Sequence, residues 1–204
     1  TASETKTFTK DFSIYAIPTA TTPTDWIFCD DNNDGFYDFD LPLKNNEILN
    51  GQDPAIFTVR YFSDLALTQE ITGIYTNQIA YTPETIYVRV ANKDNLTCAA
   101  TTSFVINVFD SPKPALAADI PNIEVCDDTL DGDDTNGFAT FDLTSQSTFI
   151  LNGQSSLDFD LAYFTDALLT TPILTPSAFI NTIVNGQTIF VSVSNKLNVS
   201  CSVT

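Results

Sequence analysis

Cys29-Asp-Asp-Asn-Asn-Asp-Gly-Phe-Tyr-Asp-Phe-Asp-Leu41 comes back, lengthened, as Cys126-Asp-Asp-Thr-Leu-Asp-Gly-Asp-Asp-Thr-Asn-Gly-Phe-Ala-Thr-Phe-Asp-Leu143. Working outward, Gly35/Gly137, Phe39/Phe141, Leu41/Leu143, Ile48/Ile150, Asn50-Gly51-Gln52/Asn152-Gly153-Gln154 and Tyr61-Phe62/Tyr163-Phe164 all stand 102 positions apart. One inserted residue later, Ile86/Ile189, Val88/Val191, Val90/Val193, Asn92-Lys93/Asn195-Lys196 and Cys98/Cys201 stand 103 apart. Cys29 and Cys126 are only 97 apart, because the second copy carries five extra residues before the shared Gly. A register held this long marks one unit copied twice. A unit of roughly a hundred residues suits a domain with its own core rather than a solenoid repeat.

Alternating apolar and polar residues set the fold class. Phe57–Phe62, Thr85–Ala91 and Ser103–Phe109 read as strands of period two, and Phe159–Phe164 and Thr188–Ser194 repeat the pattern. Leu43–Leu49 and Gln146–Leu151 lack alternation and are expected to form a helical turn or two. Short strands at near-even spacing predict an all-β chain of tandem immunoglobulin-like β-sandwich domains. Proline-containing linkers, 17–25 and 110–121, join them. The expected organisation is a last strand of a preceding repeat plus linker over 1–22, one repeat over 23–113 and another over 114–204 with its last strand missing. The alternative phase makes Phe8–Ile17 a first strand and gives two complete units. The missing start Met and signal-like stretch are read as the mark of a longer or processed polypeptide.

Composition narrows the function classes. The 204 residues carry a net charge of −18, no His, and eight Lys plus Arg spread singly along the chain. Nucleic acid needs a clustered basic surface, so it is not an expected partner. No run reaches the 18 apolar residues of a membrane helix, so no direct membrane insertion is expected. Without His there is no ordinary catalytic triad, and the chain is not read as an enzyme.

Eleven of the 26 acidic residues lie in the two loops. Asp30-x-Asn32-x-Asp34-Gly35-x-x-Asp38 has the opening spacing of a calcium loop, in which alternate side chains point to one centre and Gly permits the sharp turn. Asp30, Asn32, Asp34, the Phe36 carbonyl, Asp38 and Asp40 are therefore candidate Ca2+ ligands. The loop departs from an EF-hand in having Leu41 at position twelve and no flanking helices. The second loop offers Asp127, Asp131, Asp133, Asn136 and Asp142, with Thr140 where the first has Asp38. The competing reading is an Asx-turn loop without metal, against which the mutual repulsion of five carboxylates in eleven residues weighs.

The four cysteines fall as one pair per repeat, Cys29 with Cys98 and Cys126 with Cys201, which argues for intra-repeat disulfides formed in an oxidising compartment. Trp26, unmatched in the second unit, is a candidate sugar-stacking residue, against the plainer reading of a core aromatic. Asn95-Leu-Thr97 and Asn198-Val-Ser200 are sequons read as turn residues. Asp128-Thr129-Leu130 has the form of a bacterial O-glycosylation site, on Thr129.

The composite of Cys-Asp-x-x-x-Asp-Gly-Phe-x-x-Phe-Asp-Leu, Ile-Leu-Asn-Gly-Gln, Thr-Ile-Tyr-Val-Arg-Val-x-Asn and a second Cys resembles the roughly hundred-residue repeats of very large Bacteroidota surface proteins. Those proteins are exported by type IX secretion and include gliding-motility adhesins. The resemblance implies an extracellular, outer-membrane-attached array whose partners are neighbouring repeats of the same polypeptide and surface glycans or other surface proteins. The expected function is a structural stalk segment, disulfide- and calcium-stabilised, serving attachment or gliding. The alternative is a carbohydrate-binding module of a secreted enzyme.

Overall fold

The structure is a computed structural model that describes residues 9–127, 129 and 132–204. Its contacts divide the chain into two compact units. The first holds the described residues up to Ile27 together with Tyr37–Gln78 and Thr82–Asn107; the second holds Phe28–Phe36, Ile79–Tyr81 and Val108–Thr204. Both are built of strands with short helical turns, so the chain is all-β and its domains are tandem copies.

In the first repeat the period-two runs become strands. They are β1 (Trp26–Asp30), β2 (Asp38–Phe39), β3 (Phe57–Phe62), β4 (Glu70–Ile71), β5 (Tyr75–Thr76), β6 (Glu84–Asn92) and β7 (Ala99–Asp110). One sheet has the order β1-β7-β6-β3-β4 and a two-stranded sheet pairs β2 with β5. β6 and β7 form an antiparallel hairpin, with Ile86 opposite Phe104 and Val88 opposite Thr102. Two hydrogen bonds mark the ends of the β1–β7 edge. Val105 N donates to Asp25 Oδ1, and Ser111 N donates to Asp30 O at 3.3 Å. Both residue numbers rise together, so β1 and β7 run in the same direction. Alternation places Ile86, Val88 and Val90 of β6 and Phe104, Ile106 and Val108 of β7 on the buried face. Phe39, Leu41 and Ile48 complete this core and are fully buried.

The segment after β2 is helical as expected. A 3-10 turn at Leu41–Lys44 leads into α1 (Asn45–Leu49), which ends on left-handed Asn50. Tyr61 Oη reaches back from β3 to donate to Asn45 Oδ1 at 2.7 Å.

The second unit repeats the plan with fewer strands. A 3-10 turn at Leu143–Gln146 precedes α2 (Ser147–Ile150). Its strands are β8 (Thr140–Phe141), β9 (Phe159–Phe164), β10 (Phe179–Ile180), β11 (Phe190–Asn195) and β12 (Ser202–Val203). They form the sheets β10-β8 and β12-β11-β9. Leu143, Ile150, Leu151, Phe159, Tyr163 and Val193 make the core, and Phe141, Ile189 and Val191 are only partly buried against it.

Phe8–Ile17, read above as a strand, forms none over its described residues 9–17. The alternating side chains there lie in the open: Phe12 is 88% exposed and Ile14 99%. A strand needs a neighbour to take its backbone donors and acceptors, and this segment has none beside it.

Candidate functional site

The acidic loop is organised by its own amides. Asp30 is buried, and its carboxylate accepts from Asn32 N at 3.0 Å and from Gly35 N at 2.7 Å. Asn32 Oδ1 accepts from Asp34 N, Asn32 Nδ2 donates to Asp34 Oδ2, and Asp34 Oδ1 accepts from Phe36 N. This is a chain of Asx turns, in which short polar side chains stand in for backbone carbonyls. Asn33, at φ 58, pairs with Ser111 like a strand residue: its Nδ2 donates to Ser111 O and its Oδ1 accepts from Ser111 N. Gly35 is obligatory. Its φ is +80, and a Cβ there would stand 2.6 Å from the Ala80 Cβ. Tyr81 packs beside the loop, and its phenol is pushed up by burial, then by its hydrogen bond to Asp110 and the charges of Asp110, Asp30 and Asp34.

The second loop keeps the same clasp despite its five-residue insertion. Asp127 Oδ2 accepts from Gly137 N at 2.7 Å, and Asn136 Oδ1 accepts from Phe138 N at 2.9 Å. Gly137 has φ +79 and no room for a Cβ beside Asn185 and Val184. In each repeat a buried Asn outside the loop holds the chain that follows. Asn77 Oδ1 accepts from Tyr37 N and Asn181 Oδ1 from Ala139 N, both at 2.8 Å. Both asparagines are buried, yet neither lies in a repeat block, and only their similar place, 40 and 42 residues past the amides that donate to them, could have revealed them.

The remaining candidate ligands are committed elsewhere. Asp38 Oδ1 accepts from Thr76 Oγ1 and Asp40 starts the 3-10 turn, both in the first unit. Asp133 Oδ1 accepts from Thr135 N and Oγ1, and Asp142 Oδ1 caps Thr144 N. Asp131 lies outside the described residues. Among the described residues no three His, Cys, Asp or Glu side chains are grouped to hold a metal ion. Oxygens expected to face a cation accept from the loop's own peptide N–H groups. Trp26 sets its ring edge-on to Phe39, at 5.5 Å, with Lys44 Nζ 5.6 Å from its centroid. In the sequons, Asn95 Oδ1 and Asn198 Oδ1 accept from the amides and hydroxyls of Thr97 and Ser200. Thr129 is exposed, and its carbonyl accepts from Gly132 N at 3.1 Å.

The cysteines correct the expected pairing. Cys29 is bonded to Cys201, 172 residues away and with Cα atoms 5.5 Å apart, while Cys98 and Cys126 are unbonded. The reason lies in strand direction. Cys29 sits near the end of β1, beside the end of β7, whereas Cys98 immediately precedes the start of that twelve-residue strand. At about 3.3 Å per residue, roughly 35 Å separates the two ends of β7. Disulfide Cα atoms must approach within about 7 Å. Cys201 immediately precedes β12, the counterpart of the start of β7, and from there it meets Cys29. Cys29 and Cys201 belong to one compact unit.

Among curated proteins none matches the chain. A family model does, and it does so twice, over residues 25–114 and 122–204. The observed disulfide joins the first cysteine of one matched stretch to the second cysteine of the other. The model's Flavobacterium origin agrees with the resemblance to Bacteroidota repeats at that level. The chain belongs to the Flavobacterium inter-domain disulphide bond domain family.

Proposed function

We propose that this chain is a structural spacer segment of a large secreted cell-surface adhesin, whose repeats are tied covalently one to the next. The single observation that carries the reading is the Cys29–Cys201 bond, which closes 172 residues of chain and spans both family stretches. A bond within each repeat would protect that repeat alone. A bond from one repeat to the following one keeps the array continuous under tension even while a domain is unfolded. Disulfides persist in oxidising, extracellular settings, which supports export to the cell surface. The resemblance to Bacteroidota surface repeats supports type IX secretion and a part in attachment or gliding. In this reading the chain supplies length and strength, and catalysis has no place in it.

Pulling the oxidised chain from its two ends tests the proposal. The bond hides the stretch between Cys29 and Cys201, which at about 3.5 Å per residue is roughly 600 Å of extended chain. The oxidised protein is expected to withhold that length and the reduced protein to release it. Full extension without reductant would contradict the spacer reading. Specific glycan binding lost on Trp26→Ala would favour a carbohydrate-binding module instead.

A further inference from the structure

Two unfavourable features meet in one hydrogen bond. Tyr81 has φ 55, in the left-handed region. A bulky side chain is an outlier there, where Gly or Asn is the tolerated residue. The second repeat shows the unstrained choice: Asn185, at φ 64, stands against Gly137 as Tyr81 stands against Gly35. The Tyr81 hydroxyl donates to the Asp110 carboxylate, whose Oδ1 is buried with no hydrogen-bond partner among the described residues. A strained backbone and an orphaned oxygen each oppose the closed arrangement, and both are relieved when the contact parts.

The segment that carries Tyr81 has a tied base. Glu84 Oε1 accepts from Gln78 N, and Glu84 Oε2 accepts from Tyr75 Oη at 2.7 Å. Asn77, just before it, is buried and holds the amide of Tyr37. Residues 79–83 are therefore a short loop whose two ends stay together while its middle moves. That middle is lightly covered, with Ile79 61% exposed and Tyr81 41%. Under it lies Gly35, which is buried; a Cβ there would stand 2.6 Å from Ala80 Cβ and 2.9 Å from Tyr81 Cε2. The N–H of Gly35 is the one that Asp30 Oδ2 accepts. Tyr81, Gly35, Asp30 and Asp110 belong to one compact unit.

We infer that residues 79–83 are a lid over the acidic loop of the first repeat, held shut by a strained catch, the hydroxyl of Tyr81 on Asp110. The lid opens locally, without unfolding β6, which begins at Glu84. Opening lets Tyr81 relax to negative φ, hydrates Asp110 Oδ1 and brings water to the Asp30–Gly35 clasp. These gains offset the lost catch bond, so the closed and open states lie close in free energy. The first loop is thereby a switchable element. Its counterpart is covered by Asn185, a residue that tolerates this φ, and carries no such strain.

Amide hydrogen exchange of the full oxidised chain tests this, read at Gly35 and at Val88 and Val90 in the fully buried middle of β6. Wild type is expected to exchange Gly35 through an opening that leaves Val88 and Val90 protected. Tyr81→Phe keeps the ring and the φ but not the hydroxyl, and should speed Gly35 about tenfold or more with Val88 and Val90 unchanged. Tyr81→Gly and Tyr81→Ala both remove the ring but differ in their tolerance of positive φ, so Tyr81→Gly should leave Gly35 the better protected. A Gly35 rate unmoved by Tyr81→Phe overturns the inference, as does one that rises only together with Val88 and Val90. Protection in Tyr81→Ala equal to or greater than in Tyr81→Gly would show no strain at this position and overturns the catch. None of these outcomes touches the Cys29–Cys201 bond on which the spacer reading rests.

Discussion

Asp127 Oδ2 takes the amide hydrogen of Gly137 at 2.7 Å across ten residues, and Asp30 Oδ2 takes that of Gly35 at the same distance across five. An insertion that doubles the span leaves the clasp unchanged. The acidic residues at the loop mouths therefore have a structural role that is independent of any ion: a carboxylate is a strong acceptor for a buried N–H group.

Asp30→Ala strands the buried amide of Gly35 and removes a charge-assisted bond, and should cost about 2–3 kcal/mol in a denaturant titration. A loss under half a kcal/mol would mean that water replaces the carboxylate.

Gly35→Ala and Gly51→Ala both place Ala at positive φ, +80 and +85, but only the first brings Cβ against neighbouring atoms. Gly51→Ala is expected to cost about 1 kcal/mol through backbone strain alone, and Gly35→Ala clearly more. Equal midpoints would show that the loop can move off Ala80.

Glu47 gives a pH signature. Hydrogen bonds from Lys44, then from the amide and hydroxyl of Thr24, lower its pKa from 4.5 to about 2. A carboxylate lowered in the folded state contributes stability above its unfolded value, and that contribution fades as pH falls from about 4.5 towards 2. The group is exposed, so the effect is small. Glu47→Gln should flatten this part of the stability–pH curve, and a carboxyl titrating near 4.5 by NMR would contradict the bond to Lys44.

Calcium can be tested against the amide clasps directly. Because Asp30, Asn32 and Asp34 already accept from peptide N–H groups, a chelator should leave the melting temperature within replicate scatter. A fall of several degrees, restored by added calcium, would return the cation to the loop.

The strands were legible because period two is written in single side chains: Phe57–Phe62 and Phe159–Phe164 occupy the expected positions to the residue. The helical turns were legible from broken alternation. The disulfide was not. In a repeated sequence, pairing inside a unit and pairing between neighbours leave the same marks, and only the shared direction of β1 and β7 separates Cys29 from Cys98. The loop left two readings open for a related reason. Spacing that aims side chains at a central ion also aims them at the loop's own amides, and residue types cannot distinguish these. The buried clamps Asn77 and Asn181 left no local signal at all.

Protease digestion without reduction, followed by mass spectrometry of the linked peptides from dilute monomer, goes to the centre of this account. It predicts one peptide pair holding Cys29 and Cys201, with Cys98 and Cys126 open to alkylation. Peptides joining Cys29 to Cys98, or Cys126 to Cys201, would show each repeat sealed on itself and would contradict a covalent tie from one repeat to the next.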